Sequence, residues 1–412
     1  MDGGTPSVVE LLKARIGNQG SISFAEFMQA ALYEPGHGYY CREEMTTGPD
    51  GDYFTSPDVS PAFGRLIARQ VVEIAQRAGC HDGVFHLIEA GPGTGTLARD
   101  LAAGLSEEAP ALAARTVMTL VEISPALARA QQRRLKESGS LLAGIRWAAW
   151  KDLIEGRLDA GGPFSGCVIA NEFLDALPVH MVQVEQGRLH EVRVAWRDGA
   201  FVEDLARFAP ARLQDHFDRL ASREGIELAD GQRAEAGLAA LDWVSSLGAL
   251  FGSSGRGGVL LVDYGHPARE LYSSARHRGS LLCYRRHQAL DDPLAGVGHQ
   301  DMTAHVDFSS VAARARAAGF DVAGPVTQMK FLVSLGLAQM LAESARLEGS
   351  RGVRERLALH QLMAPGGMGE VFKALLMTRG TPAGSLTGAQ DPFRGAERAA
   401  AAPAAARRGD AA

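Results

Sequence analysis

The chain has 412 residues, of which 46% are hydrophobic and 22% are charged, a composition that allows a large buried core and is typical of globular proteins. This length corresponds to two or three domains, or to one large α/β domain with additions. The formal net charge of −6 argues against a polyanion such as DNA or RNA as the main partner.

The cysteines give no sign of a metal site or a disulfide framework. Cys41, Cys80, Cys167 and Cys283 are widely scattered, and none is paired with Cys or His at metal-ligand spacing. We therefore expect a reduced, cytoplasmic protein without a bound metal. No apolar run approaches the ~18–20 residues of a membrane span, and MDGGTPSVVELLKARIG does not have the pattern of a secretion signal, so we expect neither membrane insertion nor export.

The first part of the chain is predicted to be helical. SVVELLKARI (7–16) and FAEFMQAALY (24–33) have apolar residues at helical spacing. A loop rich in Gly, Pro and Asp follows at 34–58. The stretch SPAFGRLIARQVVEIAQRAG (60–79) is then typical of one long helix.

From about residue 84 onward, strand patterns alternate with helix patterns. The strands VFHLIEA, TVMTLVEIS, IRWAAW and CVIANEF are separated by helical stretches such as TLARDLAAGL and PALARAQQRRLKES. This alternation predicts βαβ units and a parallel sheet. Residues 180–203 break the rhythm with the turn signals EQGR and RDGA, which indicate an antiparallel hairpin.

The last third of the chain returns to helices and buried strands. A helix is expected around 232–250, followed by the mostly apolar strand GGVLLVDYG. Helices near 308–319 and 331–346 precede a last strand, FKALLMT. The stretch from residue 380 onward is low-complexity, and we expect it to be disordered.

A glycine-rich loop joins the first strand of the alternating series to a helix. In HLIEAGPGTGTLARDL the strand ends in Glu89, and Gly91, Gly93 and Gly95 precede a helix that starts near Thr96. Such glycines let a ligand approach the backbone, with the N–H groups of the helix facing it. The loop therefore predicts a nucleotide-type site, although a tight turn is the alternative. Threonine at the sixth position disfavours NAD, whose fingerprint requires Gly or Ala there.

Acidic residues follow the next two strands. TLVEIS contains Glu122, and a carboxylate at this point of a doubly wound sheet can accept hydrogen bonds from both ribose hydroxyls of a nucleoside. Solvated acids are also common at strand ends, but together with the glycine loop Glu122 indicates a nucleoside site. After the third strand, Asp152 in WKDL either accepts from an adenine amino group or is solvated at the surface.

The most unusual local sequence is CVIANEFLDALPVH, at the end of the fourth strand. Asn171, Glu172 and Asp175 lie at or just past the carboxyl end of that strand, where open α/β sheets bind their ligands. Two buried carboxylates need a cationic partner, and a planar guanidinium matches them through forked, charge-assisted hydrogen bonds. The alternative is that they cap a water-facing helix that begins near Asp175.

A set of segments along the chain resembles the MidA family of class I S-adenosylmethionine-dependent methyltransferases: GDYFTSPDVSPAFGRLI, IEAGPGTGTLARDL, VEISPALARAQ, ANEFLDALPVH, LLVDYGH, GHQDMTAHVDFSSV and LMAPGGMGEVFKALLM. The resemblance spans about residues 20–379. The mitochondrial member of the family methylates an arginine on a core subunit of respiratory complex I during assembly. Thr94 stands where several relatives carry arginine, and a loop side chain that points outward tolerates this change.

The resemblance implies a fold and a domain order. The fold is α/β, with a Rossmann-like sheet of seven strands, a helical N-terminal cap and an inserted β-hairpin. Residues 1–80 would form the cap and a loop that covers the cofactor, and residues 81–379 the methyltransferase core, with the hairpin at about 180–203. Residues 380–412 would be the disordered tail.

The resemblance also implies a cofactor, a reaction and a partner. S-adenosylmethionine would bind with its methionine part against Glu89, Gly91, Gly93 and Gly95, and with its ribose on Glu122. The substrate would be an arginine of a protein client, such as a subunit of respiratory complex I. No metal is required, because the sulfonium already carries an activated methyl group.

Arginine methylation needs acids at the acceptor site. Glu172 would orient the guanidinium and favour loss of a proton as the new C–N bond forms, and Asp175 would be the second arm. His180 either relays that proton or is structural. His305 and Asp307 in TAHVDF are expected to form a helix N-cap rather than an active pair.

The loop GDYFTSP has two interpretations. Asp52, Thr55 and Ser56 close over the cofactor, or Ser56 or Ser60 caps the following helix.

Three functions from different classes remain open. The first is a protein arginine methyltransferase, the second a methyltransferase of a small molecule, and the third a cofactor-binding assembly factor with little turnover. The intact glycine loop and Glu122 favour cofactor binding. A wide acidic groove beside Glu172 would suit a protein client, and a closed apolar pocket would suit a metabolite.

Overall fold

The structure of the protein is a computed structural model that describes residues 7–42, 55–136, 141–156, 162–285 and 288–393. Within these ranges the α-helices are α1 (Val8–Gln19), α2 (Phe24–Tyr33), α3 (Ser56–Val59), α4 (Pro61–Arg77), α5 (Thr96–Glu108), α6 (Pro110–Ala113), α7 (Pro125–Lys136), α8 (Trp150–Ile154), α9 (Ala211–Glu224), α10 (Leu238–Phe251), α11 (Ala268–Leu271), α12 (Phe308–Ala317), α13 (Gln328–Ser334), α14 (Leu337–Ser344), α15 (Gly349–Leu362) and α16 (Met368–Val371).

The strands in the same ranges are β1 (Ile22–Ser23), β2 (Phe85–Ala90), β3 (Thr116–Val121), β4 (Gly144–Ala148), β5 (Ser165–Asn171), β6 (His180–Glu185), β7 (Arg188–Arg197), β8 (Ala200–Leu205), β9 (Arg233–Ala236), β10 (Arg256–His266), β11 (Leu282–Arg285), β12 (Gln288–Leu290), β13 (Asp301–Thr303), β14 (Val306–Asp307), β15 (Asp321–Thr327) and β16 (Phe372–Arg379). Short 3₁₀ helices occur at Ser274–Arg276, Ala383–Ser385 and Thr387–Ala389.

The central sheet has the order β15-β16-β10-β5-β2-β3-β4, and β14 pairs with the end of β10. The strands from β10 to β4 are parallel, whereas β16 runs antiparallel to both β10 and β15. The chain first extends the sheet from β2 towards β4 and then crosses to β5 on the other side of β2. Loops that follow β2 and β5 therefore flank the switch point of the sheet, where α/β proteins bind their ligands.

Two apolar layers cover the faces of this sheet. Alternate residues of β2 serve opposite layers: Phe85 and Leu87 pack in one cluster and Ile88 and Ala90 in the other, as the period of two in a strand requires. Helices α4 and α5 contribute to the first layer, and α10 and α12 to the second. The parallel strands are thus buried on both faces, which explains why their sequences are continuous apolar runs.

Helix α4 belongs to the core and not to a separate cap. Its Phe63 and Leu66 are fully buried in the same cluster as Leu87 of β2. The predicted boundary of an N-terminal cap at residue 80 is therefore wrong for this helix, because its apolar face packs against the central sheet.

A second, antiparallel sheet contains the predicted hairpin. It has the order β1-β7-β6-β9, with β8 on β7, so the segment at 180–203 is part of a five-stranded sheet. Phe27 of α2 and Val194 of β7 are fully buried in one cluster. The Tyr33 hydroxyl at the end of α2 donates to the carbonyl of Ala176 at 2.8 Å, which ties this layer to the chain just after β5.

Several elements differ from the sequence expectation. The helix expected from residue 232 begins at Leu238, after β9, and the strand β15 was not expected because Gly324 and Pro325 interrupt its pattern. The stretch predicted to be disordered from residue 380 is folded as far as residue 393, with Leu386 fully buried; the later residues lie outside the described ranges.

Close packing of α4 on α5 depends on glycine, and it generates a stability prediction. A Cβ added at Gly104 would lie 2.8 Å from Cβ of Ala68 and 3.1 Å from Cα of Arg65. We expect Gly104→Val to lower the free energy of unfolding by about 1–3 kcal/mol, the range for an overpacked core, in urea titrations. Gly17→Ala in α1 is the control, because its added Cβ would meet no atom within 4 Å. Equal stability of Gly104→Val and the parent would contradict the packing argument.

Candidate functional site

A cavity of about 370 Å³ opens at the carboxyl edge of the central sheet, at the switch point between β2 and β5. The residues that line it are Tyr40, Thr55, Pro57, Asp58, Glu89, Gly91, Pro92, Gly93, Thr94, Thr96, Leu97, Asn171, Glu172, Asp175, Tyr264, Tyr284, Asp301, Thr303, His305, Val371 and Phe372. The predicted glycine loop and the predicted acidic segment therefore meet in one cavity.

The glycine loop needs each of its glycines for a different reason. Gly91, Gly93 and Gly95 have φ values of +66°, +52° and +80°, which side chains disfavour. A Cβ at Gly91 would lie 2.7 Å from the ring of Phe173, and one at Gly95 would lie 3.1 Å from Cγ of Gln131. At Gly93 the added Cβ would meet no atom within 4 Å, so this position faces open space in the cavity wall.

Glu89, next to the end of β2, presents a buried acceptor to the cavity. The residue is only 3% exposed, and its Oε2 has no hydrogen-bond partner in the described part of the chain. Burial, together with the negative charges of Asp100 and Glu122, raises the pKa of Glu89 to about 8. A cation bound at this wall would lower the pKa of Glu89 and so restore its ionised state.

Glu122 lies just past β3 and is connected to the glycine loop, but it does not line the cavity. Its carboxylate accepts from the backbone N–H of Ser124 at 2.7 Å and from Nε2 of Gln131 at 2.9 Å. The same Nε2 donates to the carbonyl of Gly93 at 2.7 Å. Burial raises the pKa of Glu122. Asp152, in the first turn of α8, is also absent from the cavity lining.

The segment after β5 is a tight turn and not a helix. Asp263 holds this turn: its Oδ2 accepts from the backbone N–H groups of Phe173, Leu174 and Asp175 at 3.2, 2.9 and 3.3 Å. Glu172 has φ +50°, a conformation that few residues other than glycine adopt. The alternative of a water-facing helix cap is therefore wrong, because Asp175 is only 4% exposed and no helix begins there.

The carboxyl groups at this turn are short of positive charge. Glu172 Oε1 accepts from Nδ2 of Asn171 and from the backbone N–H of Ser56, each at 3.2 Å. Burial and the nearby Asp175 raise the pKa of Glu172 to about 8, and burial raises the pKa of Asp175 to about 6. Oδ1 of Asn171 and Oδ1 of Asp175 are buried, and no described residue forms a hydrogen bond with either atom. This part of the cavity is thus suited to a cation with several N–H donors.

Two of the residues predicted in the loop before α3 lie close to the acidic turn. Thr55 lines the cavity and precedes α3, and its Oγ1 donates to Asp58 at 2.8 Å. Ser56 is fully buried and donates its backbone N–H to Glu172. Ser60 accepts from Ala62 N–H as the N-cap of α4. Asp52 lies outside the described residues.

Sequence reasoning missed several residues of the site. Asp263, which holds the turn but does not line the cavity, follows the same rule as Glu89, an acid near the carboxyl end of a parallel strand, and this signal could have found it. Tyr264, Tyr40 and Asp301 come from distant parts of the chain; Tyr40 donates its hydroxyl to Oδ1 of Asp301 at 2.7 Å. No short motif connects these residues.

The predicted residues His305, Asp307 and His180 lie in different surroundings. Asp307 accepts from Ser310 N–H at 3.1 Å as the N-cap of α12, as expected, whereas His305 lines the cavity, so its assignment to the cap is wrong. Burial lowers the pKa of His305 to about 4. His180 lies at 2.9 Å from Glu191 in the second sheet and does not line the cavity.

The described residues contain no group of three or more His, Cys, Asp or Glu arranged to hold a metal ion. Among them, no helix has the length and apolar character needed to cross a membrane.

Known proteins are similar to this chain in both sequence and fold. A family model described as S-adenosyl-L-methionine-dependent methyltransferase matches residues 66–326. The mitochondrial protein arginine methyltransferase NDUFAF7 homolog of Drosophila melanogaster is 32% identical, over 93% of this chain and 88% of the relative. Protein arginine methyltransferase NDUFAF7 of Danio rerio, also mitochondrial, is 32% identical, over 89% and 86%. A Burkholderia thailandensis protein solved with S-adenosyl-homocysteine has a TM-score of 0.79 and 32% identity, over 92% of this chain and 94% of that chain.

These similarities confirm two predictions and overturn a third. The α/β class I methyltransferase fold and the cofactor S-adenosylmethionine are confirmed. The prediction of a cytoplasmic location is wrong, because the relatives are named as mitochondrial. The cysteines, all free and buried, indicate a reduced protein but do not distinguish one reducing compartment from another.

The residues that line the cavity fit S-adenosylmethionine independently of the similarity to known proteins. The open wall at Gly93 gives room for a ligand against the backbone, and the unpaired Oε2 of Glu89 suits an ammonium group. Both features lie at the end of β2, where the family resemblance implies the methionine part.

The open space at Gly93 generates a prediction about cofactor binding. Gly93→Val fills the wall of the cavity, so we expect S-adenosylmethionine affinity to fall by about 100-fold or more, well over 2 kcal/mol, in calorimetric titrations. Gly187→Val is the matched control: Gly187 has φ +69° and open space around it but lies in the turn between β6 and β7. If Gly93→Val binds the cofactor as tightly as the parent, the loop does not hold it.

Glu122 generates a second binding prediction. Removal of a charged acceptor of hydrogen bonds from ribose costs about 1.5–3 kcal/mol, so Glu122→Ala is expected to lower S-adenosylmethionine affinity about tenfold or more. Gln131→Ala separates direct contact from support of the loop, because Gln131 connects Glu122 to Gly93. Glu107→Ala, at an exposed ion pair with Arg65, is the control. Unchanged affinity of Glu122→Ala would leave Asp152 as the acid to test.

Proposed function

The chain belongs to the MidA-like family of S-adenosyl-L-methionine-dependent methyltransferases, and from this premise we propose that it methylates an arginine side chain of a protein client. One observation carries the proposal: the half-buried Glu172 and the buried Asp175 both line the cavity, and neither forms an ion pair with a Lys or Arg among the described residues. The relatives named as protein arginine methyltransferases support the same acceptor.

The cofactor, when bound, supplies a methyl group already activated on a sulfonium. What remains for the protein is to hold a nitrogen in line and to exclude water, so orientation is its main contribution. The cavity walls come from the central sheet, from a three-stranded antiparallel sheet of order β12-β11-β13 and from the residues at the start of α3, which supports a site that closes around its ligands.

Glu172 and Asp175 are assigned to the acceptor. A guanidinium stays protonated at all physiological pH values, so it enters as a cation and forms forked hydrogen bonds with the two carboxylates. The unpaired Oδ1 of Asn171 accepts a further N–H. These acceptors together suit the several donors of a planar guanidinium better than a single ammonium point charge.

The reaction requires that a proton leave the attacking nitrogen. As the C–N bond forms, the guanidinium nitrogen gains the methyl group and loses one proton, which we assign to Glu172 as general base. Its raised pKa favours this transfer, because a carboxylate with a pKa near the working pH holds a proton more readily than an ordinary surface acid. Asp263 acts as a positioning residue, since it holds the backbone of the turn.

The client proposed from the family resemblance is a core subunit of respiratory complex I. Thr55, which lines the cavity, and the neighbouring Ser56 would form part of the cover over the cofactor. The experiment is mass spectrometry of complex I subunits from cells with and without the gene. Loss of methyl groups from an arginine in the deletion strain supports the proposal. Methylation only of a metabolite would favour a small-molecule methyltransferase.

Glu172 generates a prediction about turnover. Glu172→Gln keeps the size of the side chain but removes the charge and the base, so labelled methyl transfer to an arginine-bearing client should fall by about 10²-fold or more. S-adenosylmethionine affinity, measured in parallel, should stay close to that of the parent. Glu185→Gln on β6, an exposed residue outside the cavity, is the control. Transfer at the parent rate by Glu172→Gln would remove the main support for arginine.

The same variant generates a prediction about stability. Because burial raises the pKa of Glu172 to about 8, the folded protein binds a proton there that the unfolded chain releases near pH 4.5. The folded state thus holds more protons between these values, and this group makes the free energy of unfolding fall as the pH rises. We expect cofactor-free Glu172→Gln to be more stable than the parent by about 1–3 kcal/mol near pH 8 and nearly equal near pH 5. Parallel pH profiles of the two proteins in urea titrations would contradict the assignment.

A further inference from the structure

A second cavity, of about 260 Å³, lies outside the methyl-transfer site, between helices α9, α10 and α12. We call it the arginine cleft. Its walls are formed by His216, Arg219, Leu220, Arg223, Glu224, Leu241, Ser309, Ser310, Ala313, Arg314 and Ala317. The cleft is concave and combines basic with apolar side chains, and neither the cofactor nor the acceptor proposed above uses it.

The charges in this cleft are unbalanced. Arg219 and Arg223 lie one turn apart on α9, and Arg314 faces them from α12. None of the three forms an ion pair within the part of the chain that the structure describes, and the single acid of the lining, Glu224, lies 3.6 Å from Arg269 outside the cleft. Three guanidinium groups thus face the same space with little to neutralise them.

Some helical arginines of the protein have acidic partners: Arg69 pairs with Glu108 at 2.6 Å, and Arg77 with Glu73 at 2.8 Å. On α9 itself, Arg212 pairs with Asp242. Unpaired arginines also occur on exposed helix faces of the described residues, so the distinctive feature of the cleft is that its three arginines converge from two helices on one cavity.

A buried imidazole provides an independent observation. His216 lines the cleft but is only 3% exposed, and its Nε2 has no hydrogen-bond partner among the residues that the structure describes. A buried polar atom without a partner is unfavourable. Burial and the positive charges of Arg219 and Arg314 lower the pKa of His216 to about 4, so the ring is neutral and adds no positive charge of its own.

We infer that the arginine cleft is an oxyanion-binding site, in which a carboxylate or phosphate group is held by Arg219, Arg223 and Arg314. Planar guanidinium groups match such oxyanions through paired hydrogen bonds. An anion in the cleft also favours the charged form of His216, which can then donate to it.

The position of the cleft suggests two sources for the anion. A small cavity of about 20 Å³ shares His305 with the methyl-transfer cavity and His216 with the arginine cleft, so the two sites are near neighbours. An acidic side chain close to the methylated arginine of a client would satisfy both sites, and this source rests on the proposed function. A free inorganic anion is the other source.

The first experiment is calorimetric titration of the full chain with inorganic phosphate, with chloride holding the ionic strength constant. We expect saturable binding, and Arg314→Ala should weaken it about tenfold or more, the effect of a lost charge-assisted hydrogen bond. Arg351→Ala is the matched control, because Arg351 is exposed on α15 and far from the cleft lining. Unchanged cofactor affinity shows that each variant is folded. Absent saturation, or equal phosphate binding by Arg314→Ala and the parent, overturns the inference.

The second experiment identifies the source. Two arginine peptides that differ only by Glu or Gln beside the arginine are compared as methyl acceptors. A lower KM for the Glu peptide that is lost in Arg314→Ala assigns the anion to the client, whereas equal KM values with phosphate binding assign it to a free anion. If neither peptide is methylated, the proposed function fails, and the phosphate titration still decides the cleft.

Discussion

The buried carboxyl group of Asp263 holds the part of the chain on which the acceptor site depends. Its Oδ2 accepts three successive backbone N–H groups, those of residues 173–175, and its Oδ1 accepts from Tyr264 N–H at 2.9 Å. Val262 lies opposite Asn171 in the parallel ladder of β5 and β10, so the sheet register brings the acid to the turn. Without this acceptor, the N–H groups of the turn would be left unpaired in a buried place.

The same turn explains why so many acids can be close together. Glu172, Asp175 and Asp263 all have raised pKa values because burial disfavours their charge, and the charge of Asp175 raises the pKa values of Glu172 and Asp263 further. Such a cluster is unfavourable for the empty protein. The arrangement is favourable once cations enter, so the free energy of binding and the stability of the site are linked through the same carboxyl groups.

Sequence reasoning could find the residues that follow strands in a recognisable order. Glu89, Glu122 and Glu172 each come at the end of a strand in the βαβ series, and parallel topology brings such ends to one edge. Tyr40 and Asp301 could not be found in this way, because Tyr40 follows α2 and Asp301 lies on β13 of the separate three-stranded sheet. The strand β9 was mistaken for helix because only Gly237 separates its alanine-containing sequence from the apolar helix α10. The role of α4 was missed because a helical pattern shows an apolar face but not the surface that it covers.

Gln131 connects the loop to an aromatic residue on the next strand. Besides Glu122 and Gly93, it contacts Trp147 of β4, whose indole N–H donates to its Oε1 at 2.7 Å. The half-buried indole of Trp147 is therefore connected to the carbonyl of Gly93 through the side chain of Gln131. Displacement of the loop would change the hydrogen bond between the indole and Gln131, and with it the fluorescence of Trp147. The protein thus carries its own optical probe of the glycine loop, one that needs neither a label nor turnover.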